Sequence, residues 1–402
     1  MNRKISLGAA ACSVMIAIAA TFSVTWIVSE KKLNETLSST NASDAAYKKL
    51  GEIESKLSQY YLYGIDSSEI PDSVGAGLAA YLKKTDKYAE YYSAEEYSEQ
   101  ILESSGKLVG IGVSIALDSS GYWQITGIYE NSPAKEAGVQ VGDMIVKVGD
   151  EDALSISSSE LKSKIMGESG TSVKLTLRRE SEDIEIETYR KQIDVISVTG
   201  EMLDNSIAYI KLTGFNSKTY EQFETTYKQL VEEKGAKAVV FDVRNNGGGL
   251  LDSVTKVLDK LLPEGNIVST VDKSGNEAVY ATSDAENQMK VPGVVLVNGN
   301  TASAAELFSC ALRDYGLCEL VGTTTKGKGV MQDTYALSDG SAIKFTTAKY
   351  NPPKSENYDG IGLTPDYTVD VSDEDELLVS GIKKEDDAQL KKALEVVNAK
   401  IS

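Results

Sequence analysis

Residues 236–262 read AKAVVFDVRNNGGGLLDSVTKVLDKLL. The run AKAVVFDVR is mostly apolar and of strand length, which predicts a strand covered on both faces. LLDSVTKVLDKLL predicts a helix, so Asn245-Asn246-Gly247-Gly248-Gly249 is the turn of a strand–turn–helix unit. The pattern repeats outward in both directions. SIAYIKL (206–212) predicts a strand, and 220–234 a helix with Phe223, Tyr227, Leu230 and Val231 inward. GVVLVNG (293–299) is a second buried strand, followed by TASAAELFSCALRDY (301–315), a helix opened by a small-residue turn. LVGTT (320–324) is short and extended, and VMQDTYAL (330–337) with SAIKFTTAKY (341–350) predicts a hairpin around Asp339-Gly340. Alternating strands and helices imply a mixed or parallel sheet covered by helices.

Upstream the pattern changes. LVGIGVSIAL (108–117) and YWQITGIY (122–129) read as strands, and NSPAKEAGVQVGDMIVKVGDE (131–151) as a turn, a short helix, a glycine turn and a strand. A helix over 158–166, the turn GESGT, and the strands VKLTLRR and DIEIETYR complete a compact β-rich module. Ahead of it, Leu50, Ile53, Leu57 and Tyr61 have helical spacing within 44–62, and Val74, Leu78 and Leu82 mark a second helix over 72–83. The tyrosine-rich turn DKYAEYYSAEEY (86–97) leads into the module. At the far end, 373–399 is charged and predicted helical.

Residues 7–28, LGAAACSVMIAIAATFSVTWIV, hold no charge and are long enough to span a bilayer core. Arg3 and Lys4 precede them, which places the N-terminus in the cytoplasm and the body outside, and Trp26 stands at an interfacial position. A cleaved signal peptide ending near Ala19-Ala20 and a lipoprotein cysteine at Cys12 are the competing readings. The apolar run continues past both, which favours a retained anchor. Residues 29–40 then form a tether.

The chain has 402 residues, a net charge of −19, three cysteines and no histidine. The negative charge excludes a nucleic-acid surface, which needs clustered Lys and Arg. Cys12 lies in the apolar run, and Cys310 and Cys318 are either a pair or two buried thiols. The missing histidine excludes Ser-His-Asp and Cys-His systems and HExxH zinc sites. Proton transfer falls to a tuned carboxylate, lysine, tyrosine or cysteine.

Three segments are candidates for chemistry. GNTASAAELFSCAL (299–312) puts Ser303 at a helix N-terminus, where free N–H groups favour developing negative charge. Read alone, Ser303-x-x-Glu306 is equally a capping box, the more economical interpretation. TTTKGKGVMQ (323–332) sets Lys328 between two glycines, and a strand beginning there would put Gln332 on the same face. Gln332 could orient the amine without adding a carboxylate that raises its pKa. Alone, this is a solvated basic loop. FDVRNNGGGLLDSV (241–254) could turn N–H groups into a shared cavity as an oxyanion hole, or be a plain turn; no phosphate-binding fingerprint is present.

Together these stretches become specific. DKYAEYY, VGIGVSI, NSPAKEAGVQVGDMIVKVG, DVRNNGGG, NGNTASAAE, VGTTTKGKGVMQ and GIGLTPD, in this order, resemble the carboxy-terminal processing (tail-specific) serine peptidases of Ser-Lys type. The β-rich module resembles a PDZ domain. The resemblance implies a multidomain α/β protein: a cytoplasmic 1–6, a transmembrane 7–28, a tether and helical region 29–95, a PDZ-like domain 96–191, a crotonase-like peptidase core 192–372 and a charged helical 373–402. It implies Ser303 as nucleophile, Lys328 as general base, Gln332 as its orienting residue, and the N–H groups of Gly248 and Ala304 as oxyanion hole. Ile111, Gly112 and Val113 would offer backbone groups to a substrate's C-terminal carboxylate. No cofactor or metal is implied; the partners are proteins with unstructured C-termini, the membrane and, through the terminal helices, a second copy. Two departures stand out: Gly247 replaces a usual proline, and Met166, in KIMGESG, occupies a position where many relatives carry arginine. The rival functions are an inactive scaffold that displays C-termini and a crotonase-like acyl-CoA enzyme.

Overall fold

The computed structural model describes residues 46–401 except positions 119, 130, 157, 285, 287 and 373–383. The apolar run 7–28 and the tether before residue 46 therefore lie outside the described residues. Among those described, no helix is long and apolar enough to cross a membrane. Two compact units are present, one ending at Val74 and one spanning Gly75–Ser402. In the first, the helix over 46–60 keeps Leu50, Ile53 and Leu57 exposed, so its apolar face is not buried within its own unit.

The larger unit is built on a six-stranded sheet in the order Val198–Leu203, Ile207–Leu212, Ala238–Asp242, Gly293–Val297, Cys318–Gly322, Tyr367–Thr368. The first pair is antiparallel and the other pairings are parallel. All five residues of Ala238–Asp242 and of Gly293–Val297 are buried, the expectation for strands covered on both faces. One face packs Val239, Phe241, Val295 and Val297 under the helices Thr219–Tyr227, Leu251–Asp259 and Ala304–Asp314 through Phe223, Leu258 and Phe308. The other face, with Val240, Val294, Leu296 and Val321, is closed by Leu390, Ala393, Val396 and Val397 of the helix Ala388–Ile401. The C-terminal segment, charged in composition, is thus the second layer over the sheet.

A second, antiparallel sheet runs Glu90–Tyr92, Ala342–Asn351, Gly265–Asp272, Glu277–Ser283, with Val330–Ala336 also on Ala342–Asn351. Its hairpin 330–351 follows the sequence reading, whereas Gly265–Asp272 with Glu277–Ser283 is additional. The strand holding Gln332 begins at Val330, not at Lys328, and a register shift separates Met331 from Gln332. A bulge breaks the two-residue alternation on which the shared-face argument stood.

The β-rich module has the antiparallel order Val113–Leu117, Trp123–Ile128, Met144–Val148, Ser172–Arg179, Glu182–Tyr189, around a core of Ile125, Ile145, Leu161, Leu175 and Leu177. Its entry and exit strands, Lys107–Gly110 and Lys191–Asp194, pair with each other, which closes the module on itself. The helix Ser158–Ile165 ends on Arg190, whose guanidinium donates to the carbonyls of Lys164 and Ile165 and to Ser172 O. Those terminal carbonyls have no intrahelical partners, so a cation at that end satisfies both bond and dipole.

Candidate active site

The site lies at the C-terminal ends of the adjacent parallel strands Ala238–Asp242 and Gly293–Val297, where open α/β sheets form crevices. The two turns there are joined by short polar side chains. Asn245 N–H donates to Asn298 Oδ1 at 2.9 Å, and Asn298 Nδ2 returns to Asn245 Oδ1 at 2.7 Å. Thr301 Oγ1 donates to Val243 O at 2.9 Å, and Ala302 N–H donates to Asn246 O at 2.9 Å. Gly248 then meets the serine turn. A Cβ on Gly248 would stand 2.8 Å from both Ala302 O and Ser303 Cβ, and φ is +102°. Only glycine fits that approach.

Ser303 has φ 56° and ψ −121°, a conformation that costs a non-glycine residue about 1–3 kcal/mol. Such a sharp strand-to-helix turn is the geometry that lifts a nucleophilic hydroxyl clear of its own backbone. Its main chain is satisfied within the turn: Ser303 N–H donates to Glu306 Oε2 at 2.9 Å and Ser303 O accepts from Glu306 N–H at 2.9 Å. The side-chain arm from Glu306 is thus the reciprocal half of a capping box. The capping reading and the nucleophile reading are compatible.

Glu306 is the hub. It is fully buried, and its carboxylate accepts four hydrogen bonds: from Ser303 N–H, from Thr325 Oγ1 at 2.5 Å, from Gly327 N–H at 2.7 Å and from Lys328 N–H at 2.8 Å. The amides of Ser303 and Lys328 share one oxygen, Oε2, so residues 25 positions apart are brought together by a buried anion. Gly327 packs against the backbone of 360–362, and Gly329 against the Asn357 side chain and Asp359 N, which seats the lysine loop from its other side. Tyr350 OH donates to Lys328 O at 2.7 Å, and Tyr358 OH donates to Tyr350 OH at 3.3 Å.

The side chain of Lys328 is half-buried, and burial, followed by the nearby charge of Lys344, pulls its pKa below the ordinary lysine value. Glu90, Asp86 and Glu306 act in the opposite direction. Its ammonium lies 4.6 Å from the centre of the Tyr88 ring. Among the hydrogen bonds of the described residues, none joins Lys328 Nζ to Ser303 Oγ or to Gln332. Gln332 instead donates through Nε2 to Val330 O at 3.3 Å and to Thr346 Oγ1 at 3.1 Å. Gly248 N–H donates to Asn246 Oδ1 at 2.8 Å, while Ala304 is the first residue of its helix, a position with no intrahelical acceptor.

In the β-rich module, Ile111 is buried with its carbonyl accepting from Ala134 N–H at 2.9 Å. Gly112 has φ +81°, and its carbonyl accepts from Tyr129 N–H at 3.0 Å. Val113 opens Val113–Leu117, an edge strand paired only with Trp123–Ile128 among the described residues. Cys310 and Cys318 are both free and buried, and burial pushes the Cys310 thiol up to about 11.

Below the site, Arg244 donates to Asp242 at 2.6 and 3.0 Å and to Asp387 at 2.8 and 3.0 Å, all three side chains being buried. Asp387 precedes the C-terminal helix and accepts from Leu390 N–H, which ties that helix to the strand feeding the glycine turn. Neither Asp387 nor Tyr350 carries a local signal in the sequence, since their partners lie 143 and 22 residues away.

Residues 206–369 match peptidase family S41, and residues 124–179 match a PDZ domain. A probable CtpA-like serine protease of Staphylococcus aureus is 30% identical over 361 residues, covering 89% of this chain and 72% of that protein. The carboxyl-terminal-processing protease of Synechocystis is 34% identical over 283 residues, covering 69% of this chain and 66% of that protein. Among solved structures, the photosystem II D1 C-terminal processing protease superposes with a TM-score of 0.55 at 26% identity, over 76% of this chain and 83% of that one. The chain belongs to the carboxyl-terminal-processing serine proteases of peptidase family S41.

Proposed function

We propose that this chain is a membrane-anchored serine endopeptidase that cleaves proteins near their C-termini, with Ser303 as nucleophile, Lys328 as general base and Gln332 as the residue that orients it. The observation that carries this reading is the sharing of Glu306 Oε2 by the amides of Ser303 and Lys328, beside a lysine whose pKa is lowered by burial. No histidine is available to replace it.

Neutral Lys328 takes the proton of Ser303 Oγ as the oxygen adds to the scissile carbonyl. The Lys328 ammonium then protonates the leaving amine, and the acyl group stays on Ser303. In the second half, Lys328 takes a proton from water, hydroxide adds to the ester, and the proton returns to Ser303 as the acid product leaves. The oxyanion of each tetrahedral intermediate is taken by Ala304 N–H and by Gly248 N–H once the latter leaves Asn246 Oδ1; each donor contributes about 3–4 kcal/mol. The open edge Val113–Leu117 supports capture of a substrate tail as an added strand, with the backbone of Ile111, Gly112 and Val113 at its carboxylate. Residues 7–28 supply the anchor and put the body on the extracytoplasmic side.

Incubation of the full chain with a protein bearing an unstructured, apolar C-terminal tail tests the proposal. Cleavage is expected to disappear in both Ser303→Ala and Lys328→Ala with the fold retained. Undiminished cleavage in either variant overturns it.

A further inference from the structure

The segment 86–92 precedes the PDZ-like module by sequence but lies in the peptidase core, where Glu90–Tyr92 adds an edge strand to Ala342–Asn351. Its side chains reach Lys328 directly and Gln332 through Thr346. Asp86 accepts from Thr346 N–H at 2.7 Å and from Thr346 Oγ1 at 2.9 Å. A hydroxyl has one proton, so Thr346 Oγ1, having given its own to Asp86, is an acceptor for Gln332 Nε2 at 3.1 Å. Val330 O, the other neighbour of Nε2 at 3.3 Å, is also an acceptor only. The Gln332 amide therefore has a fixed sense: its NH2 is committed to Thr346 and Val330, and its carbonyl oxygen is left for an N–H donor such as a lysine amine. Asp86 also turns its own loop, accepting from Tyr88 N–H at 3.1 Å, and so places the Tyr88 ring 4.6 Å from Lys328 Nζ.

We propose that Asp86 and Tyr88 are positioning residues of the peptidase site: the Tyr88 ring seats the Lys328 ammonium away from Ser303 between turnovers, and Asp86, through Thr346, fixes the Gln332 amide that receives the amine when it moves. The proposal rests on the Ser303–Lys328 reading. An aromatic face attracts the ammonium and not the neutral amine. The seat therefore holds the proton that Lys328 must lose before it acts as base, and opposes the desolvation that favours the neutral form. The charged groups around Lys328 are Lys344, Glu90, Asp86 and Glu306. Lys344 is itself paired with Glu90 and donates to Tyr92 OH at 2.6 Å, so the same seven-residue stretch also holds the second lysine whose charge acts on Lys328.

The seat is tested without reference to activity. In full-length Ser303→Ala, the pH dependence of Lys328 acetylation by acetic anhydride, followed by mass spectrometry, reports the neutral amine. Tyr88→Leu is expected to shift that titration about half a pH unit to lower pH, the equivalent of a cation–π contact, and Tyr88→Phe to leave it in place. Coincident titrations in Tyr88→Leu and parent overturn the seat. If Tyr88→Leu does not fold, phenylalanine carrying one, two or three ring fluorines at position 88 grades the ring charge at nearly constant shape, and a titration insensitive to fluorination gives the same refutation. The relay is tested by cleavage kinetics: Thr346→Val is expected to lower kcat as Gln332→Ala does, and the double variant no further than Gln332→Ala alone. Multiplicative losses overturn it. Should Ser303→Ala or Lys328→Ala still cleave, the mechanism fails while the acetylation result stands by itself.

Discussion

Glu306→Gln is the sharpest perturbation of the site, because it changes one atom of a buried group that four donors share. With the glutamine oxygen in the place of Oε2, the bonds from Ser303 N–H and Lys328 N–H survive as neutral ones. Each then loses its charge assistance, about 1 kcal/mol per bond. The NH2 falls where Thr325 Oγ1 and Gly327 N–H now donate at 2.5 and 2.7 Å. Thr325 Oγ1 can turn and accept, but Gly327 N–H faces a second donor and is orphaned, at about 1–3 kcal/mol. The sum is about 3–5 kcal/mol. It emerges as lost stability if the loop stays in place, or as lost rate if the loop swings away, since about 1 Å of misplacement costs on the order of 100-fold. Urea unfolding and kcat/KM on a tailed substrate, measured on the same preparation, capture both routes. A Glu306→Gln variant within about 0.5 kcal/mol of parental stability and threefold of parental kcat/KM would refute the assignment of Glu306 as the link between Ser303 and Lys328.

Three further outcomes follow from the geometry. Gly248→Ala places a Cβ 2.8 Å from Ala302 O and Ser303 Cβ at a φ of +102°, so cleavage should fall at least about 100-fold, checked by steady-state kinetics beside a thermal melt. Asp242→Ala leaves Arg244 with one carboxylate and strands the Tyr209 hydroxyl, which donates to Asp242 at 2.6 Å; it should cost about 3–5 kcal/mol in urea unfolding, and Asp387→Ala clearly less because Arg244 keeps Asp242. Burial alone would raise the pKa of Asp242, but the charge and hydrogen bonds of Arg244 hold it below the ordinary carboxylate value. Its contribution to stability is therefore complete above the unfolded value of about 3.9 and lost as pH falls below it, so unfolding free energy should be insensitive to this group above about pH 5 and decline under about pH 4.

Local sequence determined much of this protein. The runs at 238–242, apolar up to Asp242, and at 293–297 have the composition of strands covered on both faces. The absence of histidine excluded histidine-based catalysis, and the glycines at 248, 249, 327 and 329 marked the places where backbone approaches closely. What the sequence could not show is how those places meet. Glu306 reads as a helix cap by spacing, and only the fold brings Thr325, Gly327 and Lys328 to its second side. The strand of Gln332 begins two residues later than alternation suggested, since a bulge at Met331–Gln332 is a property of its pairing with Ala342–Asn351 and not of either strand alone. The C-terminal helix looked like a charged tail because its apolar stripe has meaning only against the sheet face formed by Val240, Val294, Leu296 and Val321, and Asp387 acquires its role from Arg244 across 143 positions. Periodicity and composition act between neighbours in the chain and so fix elements; hydrogen bonds and charges act through space, and the site is made of them.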